Sequence, residues 1–417
     1  MTAMEKRMHV YYDGIQVNAP VPMGTLDAVV LRGKEIYSFQ FDEDWLRGRL
    51  ARSFDPDLQL FPGPQYVPEG KSNFGIFLDS APDRWGKTLL ERRERERARA
   101  EGRTPRALRE SDYLLGVFDD SRMGALRFKL NPDGTFLDDD TAMATPPWAS
   151  VRDLEYASLQ LETDDPAHEG RWLRMLLRPG SSLGGARPKA NVRDESGHLW
   201  IAKFPSRKDH KDVGAWEAVC MQLARLSHIT VSDWKSERYS HDSHTFLAKR
   251  FDRDDAGRRI HYTSAMTLLG YTDGADASSG ASYLELADWI SRNCFDVDAN
   301  LAELFRRIVF NIAVSNCDDH LRNHGFLYTT QGWTLSPAFD LNPDEYGVGL
   351  SLCINENDNA LDFNLAREIA PYLGIKDAEA EKIIVSIRRT VSQWKSIATA
   401  YGIPRGEQEA MKGCFKV

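Results

Sequence analysis

The sequence predicts an α+β protein with two lobes, in which a small N-terminal α+β domain precedes a core that ends in a mainly helical lobe. Three observations lead to this fold class. Strand-like segments at 9–17 and 34–41 are separated by turn residues. Apolar residues recur at helical spacing over 213–226 and again over 301–314. A polar loop and a segment typical of a β-hairpin follow the second helix, which predicts that this helix is a core element presenting the loop.

A domain boundary is expected near residue 145, because the segment 131–147 is acidic, contains proline and lacks periodic apolar residues. The predicted division is an N-terminal domain at 1–145, an N-lobe-like region at 146–255 and a mainly helical C-lobe-like region at 256–417. Within the first domain, glutamate and arginine alternate over 89–103. Because such charges pair across one helical turn, this pattern predicts a solvated helix in preference to an RNA-contacting surface.

The composition is that of a globular protein without a broadly cationic surface. The 53 lysine and arginine residues against 62 aspartate and glutamate residues give a net charge of −9. This balance argues against binding of nucleic acid or anionic membrane by the whole surface. We find neither a signal-peptide-like nor a membrane-spanning apolar stretch, so we expect a cytoplasmic protein without a membrane partner. The five cysteines are scattered without Cys-x-x-Cys spacing, which predicts neither a disulfide framework nor a thiolate zinc site.

The loop after the second helix carries the most informative spacing in the chain. Asp318 is followed five positions later by Asn323, and Asp340 comes just beyond the predicted hairpin. In phosphoryl transfer one aspartate accepts the proton of the attacking hydroxyl, while an asparagine and a second aspartate hold Mg²⁺. The alternative is a zinc hydrolase site, since His320 and His324 have zinc-ligand spacing if the loop is helical. Asparagine is a poor zinc ligand and a good magnesium ligand, which favours phosphoryl transfer.

Upstream segments supply the other parts of a nucleotide site in the expected order. The stretch 181–189 contains Gly184 and Gly185, which allow the backbone to approach a phosphate closely. Lys203 lies on an apolar predicted strand, where it is either an edge-strand charge or a lysine that contacts phosphates. Glu217 lies beside the apolar stripe of the first helix and needs a cationic partner, for which Lys203 is the candidate.

The strand predicted at 245–251 would lead into the hinge of such a fold. Main-chain groups around Lys249 to Phe251 would then contact adenine, although these basic residues are equally compatible with plain surface charge. The glycine loop, strand lysine, helix glutamate, catalytic loop and distal aspartate are together much more specific than any one of them. The ordered set predicts a protein-kinase-like two-lobed core that uses ATP and Mg²⁺.

At this point the sequence resembles the HipA family of bacterial serine/threonine kinases, the toxins of HipBA-type toxin–antitoxin modules. The resemblance covers most of the chain. It is carried by the segments 75–87, 182–189, 202–204, 250–253, 316–323 and 337–340.

The resemblance implies roles for individual residues. Asp318 would be the catalytic base, and Asn323 and Asp340 would be the magnesium ligands. The serine at the position of Ser182 would be autophosphorylated and thereby inactivate the kinase, with Ser181 as the other candidate acceptor. Together the motifs and the resemblance predict a nucleotide site formed by Gly184, Gly185, Ala186, Arg187, Pro188, Lys189, Lys203, Glu217, Lys249, Arg250, Phe251, His320, Leu321, Arg322, Asn323, Phe339 and Asp340.

The resemblance also implies partners. A HipB-like helix-turn-helix antitoxin would bind the kinase and bring it to operator DNA. The protein substrate would be a translation component such as an aminoacyl-tRNA synthetase, glutamyl-tRNA synthetase by analogy, whose phosphorylation arrests translation and favours persistence. Two rivals stay open: a small-molecule kinase of the aminoglycoside-phosphotransferase type, and a corepressor of a helix-turn-helix protein in which catalysis is incidental.

Overall fold

The structure is a computed structural model, and it describes residues 5–139, 144–163, 172–173, 175–176 and 187–417. Two compact units are present. The N-terminal unit comprises Met1–Ser206 together with Asp252–Thr263, and the C-terminal unit comprises Arg207–Phe251 and Ser264–Val417. The chain therefore passes between the units three times. The domains predicted with boundaries near residues 145 and 255 are continuous in sequence, whereas each of these units consists of two separate segments. The predicted division stays a prediction.

The strands and helices of the described residues are numbered here in chain order. The strands are β1 (Glu5–Tyr12), β2 (Val21–Leu31), β3 (Lys34–Phe41), β4 (Gln65–Tyr66), β5 (Leu126–Lys129), β6 (Lys189–Arg193), β7 (Leu199–Lys203), β8 (Trp234–Glu237), β9 (Thr245–Lys249), β10 (His261–Ser264), β11 (Gly325–Tyr328) and β12 (Trp333–Leu335). The helices are α1 (Glu43–Arg47), α2 (Gly75–Asp79), α3 (Arg84–Ala100), α4 (Glu110–Leu115), α5 (Val151–Leu161), α6 (Val213–Leu226), α7 (Ala265–Leu268), α8 (Tyr283–Asn293), α9 (Val297–Val314), α10 (Phe363–Ile369), α11 (Asp377–Val391), α12 (Trp394–Ala400) and α13 (Arg405–Met411).

The N-terminal unit is built on an antiparallel sheet in the order β4-β3-β2-β1-β5. Alternate residues of β1, namely Met8, Val10 and Tyr12, are completely buried, as expected when one face of a strand covers a core. The strand predicted at 34–41 is β3. The strand predicted at 9–17 is instead β1, which begins four residues earlier and ends at Tyr12.

Helix α3 carries the alternating charges that were predicted to form a solvated helix. It begins at Arg84, where the Asp83 carboxylate accepts a hydrogen bond from the Gly86 amide at 2.7 Å and so caps the first turn. The helix is not solvated all round, because Leu89 and Leu90 on one face are buried. Glu94 is buried as well and accepts hydrogen bonds from Arg103 Nη1 and the Arg106 amide, whereas Glu91, Arg95, Arg97 and Arg99 are exposed.

The segment Asp252–Thr263 completes the N-terminal unit although it lies far along the chain. The Asp252 carboxylate, which is completely buried, accepts a hydrogen bond from the Gly124 amide at 2.8 Å. Arg253 donates through Nη2 to the Arg122 carbonyl at 2.9 Å. These bonds attach the segment to the loop that precedes β5.

The C-terminal unit contains the two helices that the sequence predicts most clearly. Helix α6 has the predicted bounds and begins after Asp212, whose Oδ1 accepts from the Ala215 amide at 3.1 Å. Helix α9 starts one turn before the predicted 301–314, because Asp296 caps it there. The helix ends at Val314 and is followed by Ser315, which has a left-handed φ of 50°.

The predicted hairpin is formed by β11 and β12, with Phe326 opposite Leu335. Asn300 on α9 anchors this hairpin: its Oδ1 accepts from the Leu335 amide at 2.7 Å and from Thr334 Oγ1 at 3.0 Å. Arg307, on the same helix, donates to the Ser336 carbonyl at 2.6 Å just beyond the hairpin. Helix α9 therefore positions both the loop that follows its C-terminus and the hairpin strands that come after this loop.

Candidate active site

The loop after α9 presents Asp318 at the surface while its neighbours are buried. Asp318 is exposed, whereas Cys317, Asp319 and Asn323 are 8%, 3% and 6% exposed. A short 3-10 turn at Leu321–Asn323 brings the Asn323 side chain back toward Asp318. This arrangement leaves one carboxylate accessible to a reactant.

The Asn323 side chain is oriented by the backbone of Asp318. Its Nδ2 donates to the Asp318 carbonyl at 2.9 Å. Because the amide nitrogen is used in this way, the Oδ1 atom lies on the other side of the planar amide group. This hydrogen bond therefore fixes the side chain of Asn323, the predicted metal ligand, relative to the backbone of Asp318, the predicted base.

The pKa of Asp318 is raised above the ordinary value of an aspartate. The main cause is partial removal of water by the surrounding protein; among the neighbouring charges, His320 lowers the pKa, while the carboxylates of Asp340, Asp319 and Asp344 raise it. Asp340 is therefore within electrostatic reach of Asp318. A carboxylate with a raised pKa is a better proton acceptor when ionised, which suits a general base.

Asp319 anchors the loop from inside. Its Oδ2 accepts three hydrogen bonds, from the Tyr283 hydroxyl at 2.6 Å, Asn311 Nδ2 at 2.7 Å and His324 Nε2 at 2.8 Å. Burial alone would raise the pKa of Asp319, but His324 and the other donors hold it below the ordinary value. The carboxylate is therefore an ionised, satisfied group and not an acid–base candidate.

Asp340 follows the hairpin in an uncommon backbone conformation, with a left-handed φ of 58°. Asn342 Nδ2 donates to its Oδ1 at 3.1 Å. The Oδ1 atom of Asn342 is buried and has no hydrogen-bond partner among the described residues. Next to Asp340, the Phe339 ring packs on the Phe251 ring with centroids 5.5 Å apart.

The oxygen donors of this site fit Mg²⁺ better than zinc. The Asn323 amide oxygen and the Asp340 carboxylate are hard ligands of the kind that Mg²⁺ takes, and the orphaned Asn342 Oδ1 can accept from a metal-bound water. His324 Nε2 is already bonded to Asp319. Within the described ranges no group of three or more His, Cys, Asp or Glu side chains is arranged to hold a metal ion.

Part of the predicted phosphate loop lies outside the described residues: Ser181, Ser182, Gly184, Gly185 and Ala186. Arg187 is half-buried, and Pro188 and Lys189 are buried in the N-terminal unit.

Lys189 already has an anionic partner. Its Nζ pairs with the buried Asp83 carboxylate at 2.8 Å, and its carbonyl accepts from Trp85 Nε1 at 3.0 Å. Its predicted contact with nucleotide would have to compete with this ion pair.

The strand lysine and the helix glutamate lie in different units. Lys203 is half-buried at the end of β7, and Glu217 is 2% exposed on α6. The ion pair between them stays a prediction. In the segment predicted to be the hinge, the Lys249 amide donates to the Asp233 carbonyl at 2.8 Å, and Arg250 is 4% exposed.

The remaining predicted residues lie in or beside the loop. Leu321 is 2% exposed, and Arg322 pairs through Nη1 with Asp273 at 3.3 Å. His320 is half-buried, and its amide donates to the Asp318 carbonyl at 2.9 Å. The structure therefore brings Asp318, His320, Asn323 and Asp340 together within the C-terminal unit.

Sequence reasoning missed Tyr283, Asn311 and Asn342, which hold the loop and Asp340. Tyr283 lies 36 residues before its partner Asp319, a separation that no local pattern reveals. Asn311 did leave a signal, since a polar residue on the buried face of an apolar helix needs a hydrogen-bond partner. It is 1% exposed.

The fold and the loop geometry place the chain in a known class of protein. A solved complex of HipA, HipB and operator DNA, from a toxin–antitoxin system of Shewanella oneidensis MR-1, aligns with 98% of this chain and 94% of the matched chain at a TM-score of 0.66. The identity is 17%, so the match shows the fold: a mixed α+β, HipA kinase-like structure over nearly the whole chain. The predicted fold class is confirmed.

The HipA-like C-terminal domain family matches residues 181–394, which is more than half of the chain. This chain therefore belongs to the HipA family, and the predicted resemblance is confirmed.

Curated relatives agree with this assignment. A putative kinase of Haemophilus influenzae is 31% identical over 180 residues, which cover 39% of this chain and 52% of the relative. A putative kinase of Sinorhizobium fredii, Y4dM, is 25% identical over 223 residues, covering 48% of this chain and 52% of the relative. The chain thus spans about half the length of the curated relatives it matches.

Among the described residues, no helix is both long and apolar enough to cross a membrane.

Proposed function

We propose that this protein is an ATP- and Mg²⁺-dependent serine/threonine protein kinase that acts as the HipA-like toxin of a toxin–antitoxin pair. Asp318 accepts the proton of the substrate hydroxyl, and Asn323 and Asp340 hold Mg²⁺ against the phosphates of ATP. Mg²⁺ supplies neutralisation of phosphate charge when it is bound. The protein residues supply position and a proton acceptor.

The observation that carries this proposal is the pairing of an accessible carboxylate with an oriented asparagine. Asp318 is exposed, has a raised pKa and shares a 2.9 Å hydrogen bond with Asn323 through its carbonyl. Asp340 is near enough to influence the Asp318 pKa by its charge. Phosphoryl transfer depends chiefly on positioning and charge stabilisation, and these residues are suited to both.

The substrate and partner proposals rest on kinship and not on the site. The Shewanella protein was solved with HipB and operator DNA. By analogy, we propose that a HipB-like helix-turn-helix antitoxin binds this kinase and brings it to operator DNA. We propose a translation component as substrate, in the first place an aminoacyl-tRNA synthetase such as glutamyl-tRNA synthetase. We also propose that Ser182 accepts phosphate from the protein's own active site and that this inactivates the kinase.

The proposal is tested by incubating the purified protein with Mg²⁺, γ-labelled ATP and a cell extract, then identifying every labelled species. Transfer to serine or threonine of a protein is expected. The Asp318→Asn variant should lose about 10²- to 10⁴-fold of the rate while it still binds nucleotide, since only the proton acceptor is removed. Asp288→Asn is the matched control, because this exposed aspartate on α8 pairs only with Arg292 among the described residues.

The alternatives predict different labelled products. A labelled metabolite or drug without labelled protein would establish a small-molecule kinase. Undiminished transfer by Asp318→Asn would remove this residue from catalysis. No transfer at all, together with tight binding to a helix-turn-helix protein, would favour the corepressor. Mass spectrometry of the labelled protein decides between Ser182 and Ser181 as acceptor.

A further inference from the structure

A continuous series of hydrogen bonds joins the catalytic loop to Asp340 through three asparagines. Asn311 Nδ2 donates to Asp319 at 2.7 Å, and Asn311 Oδ1 accepts from Asn316 Nδ2 at 3.1 Å. Asn316 Oδ1 in turn accepts from the Asn342 amide at 3.2 Å, and Asn342 Nδ2 donates to Asp340 Oδ1 at 3.1 Å. We call Asn311, Asn316 and Asn342 the asparagine relay.

The first two members of the relay are fixed by their surroundings. Asn311 and Asn316 are each 1% exposed, so neither side chain can exchange its partner for bulk water. The Asn316 amide also donates to the Asn311 carbonyl at 2.9 Å, directly after the left-handed Ser315. Each amide group uses its nitrogen as donor and its oxygen as acceptor, which leaves one consistent orientation per side chain.

The last hydrogen bond of the relay reaches Asp340, whose backbone conformation is unfavourable. Asp340 has a φ of 58°, a conformation that costs a non-glycine residue free energy and persists only where the surroundings hold it. The contacts through Asn342 are therefore positioned to keep the Asp340 carboxylate in one place. The same relay holds Asp319, the residue that follows the proposed base.

We infer that Asn316 and Asn342 are positioning residues that set the Asp340 carboxylate relative to the catalytic loop and so determine the affinity of the site for Mg²⁺-nucleotide. The inference rests on the proposed function, because it takes Asp340 and Asn323 as the metal ligands. Partners that orient metal ligands in this way typically change metal affinity or activity by about 10- to 100-fold when they are removed.

The test is calorimetric binding of ADP with and without Mg²⁺, which requires no turnover. Asn316→Ala should weaken the binding of Mg·ADP by about 10-fold or more, whereas binding of ADP in EDTA should stay within about twofold of wild type. Asn342→Ala should do the same. This second variant removes a half-buried side chain and keeps its backbone amide, so it tests the inference if Asn316→Ala does not fold.

A double-mutant cycle checks that the two residues act in series. If Asn316 works through Asn342, the double variant should weaken Mg·ADP binding no more than the stronger single variant, whereas independent effects would multiply.

Asn300→Ala is the matched control. Asn300 is a buried asparagine on α9, the helix that precedes Asn316; it is 5% exposed, and its Oδ1 accepts two hydrogen bonds from the β12 strand outside the relay. Its replacement should lower the melting temperature as Asn316→Ala does, but leave Mg·ADP affinity unchanged. A merely structural role for Asn316 predicts the same behaviour for both variants.

The outcomes separate this inference from the function on which it rests. If the wild-type protein binds no Mg·ADP, the proposed function fails and the inference fails with it. If the wild type binds Mg·ADP and Asn316→Ala and Asn342→Ala bind it equally well, the function stands and the positioning role is refuted. Equal weakening of binding with and without Mg²⁺ would also refute it, since that pattern indicates general loss of structure.

Discussion

Replacing Asp319 with asparagine should lower the free energy of unfolding of the C-terminal unit by about 2 to 3 kcal/mol. One carboxylate oxygen accepts hydrogen bonds from Tyr283, Asn311 and His324, all within 2.8 Å. A hydrogen bond to a charged acceptor contributes about 1 kcal/mol more than a neutral one. Three weakened bonds give about 3 kcal/mol, and the lower cost of burying a neutral amide offsets part of this loss.

The assay is urea unfolding at pH 7, combined with hydrogen exchange of peptides from α8 and the loop at 315–324, so that the loss is assigned to the correct region. Asp288→Asn is the control and should change stability by less than about 0.5 kcal/mol, because its ion pair with Arg292 is exposed. The pKa of Asp319 is lowered, so its stabilisation is complete above the unfolded value of about 3.9 and is lost only as pH falls below it. The titration of Asp319 itself should thus contribute nothing to the change in the difference between wild type and variant from pH 7 to pH 5.

A loss no larger than that of the control would refute this reasoning, because the three hydrogen bonds would then contribute nothing net. Protonation of Asp319 in the folded protein already between pH 7 and pH 5 would contradict the lowered pKa.

Three further predictions follow from single groups. Because the pKa of Asp318 is raised, kcat/KM should fall on the acid side with an apparent pKa above the ordinary value of about 3.9, and a limb at or below that value would contradict its role as base. Asp340→Ala should weaken Mg·ATP binding measured by calorimetry as well as turnover, and unchanged affinity would place the metal elsewhere. Burial lowers the pKa of His261, packed 4.1 Å from the Phe54 ring, to about 3, so the unfolded state takes up a proton as pH falls and the folded state does not. Unfolding of the wild type should therefore become easier by about 1.2 kcal/mol between pH 7 and pH 5.5, and His261→Phe should lose that share of the pH dependence.

The sequence predicts most of what is locally encoded. Helix α6 has the predicted bounds and the predicted β11–β12 hairpin forms, because helical spacing after a capping aspartate specifies the first and turn residues the second. The loop that follows α9 is predicted for the same reason. Within it, Asn323 Nδ2 donates to the Asp318 carbonyl, and Asp340 is close enough to raise the Asp318 pKa by its charge.

The elements and contacts that the sequence does not predict are those that depend on residues far away in the chain. Strand β2 contains Pro22 and Gly24, which weaken any local strand pattern, and it is held by pairing with β1 and β3 on either side. The Asp319 anchors come from two different helices. The segment 250–253, one of those that carry the family resemblance, is divided between two units after Phe251, and hydrophobic periodicity does not reveal such a division.

Because Asp252–Thr263 belongs to the N-terminal unit, the chain cannot be divided at residue 206 into two intact units. A fragment ending at residue 206 would lack Asp252–Thr263 and leave the Gly124 amide and the Arg122 carbonyl without the bonds that this segment supplies. A fragment beginning at residue 207 would carry the Asp252 carboxylate, completely buried in the whole protein, away from the structure that buries it. The first fragment is thus an incomplete N-terminal unit, and the second is a complete C-terminal unit that carries a segment of the other unit. Separating the chain at residue 206 therefore leaves the N-terminal unit without a segment that it needs and the C-terminal unit with a segment that it does not bury.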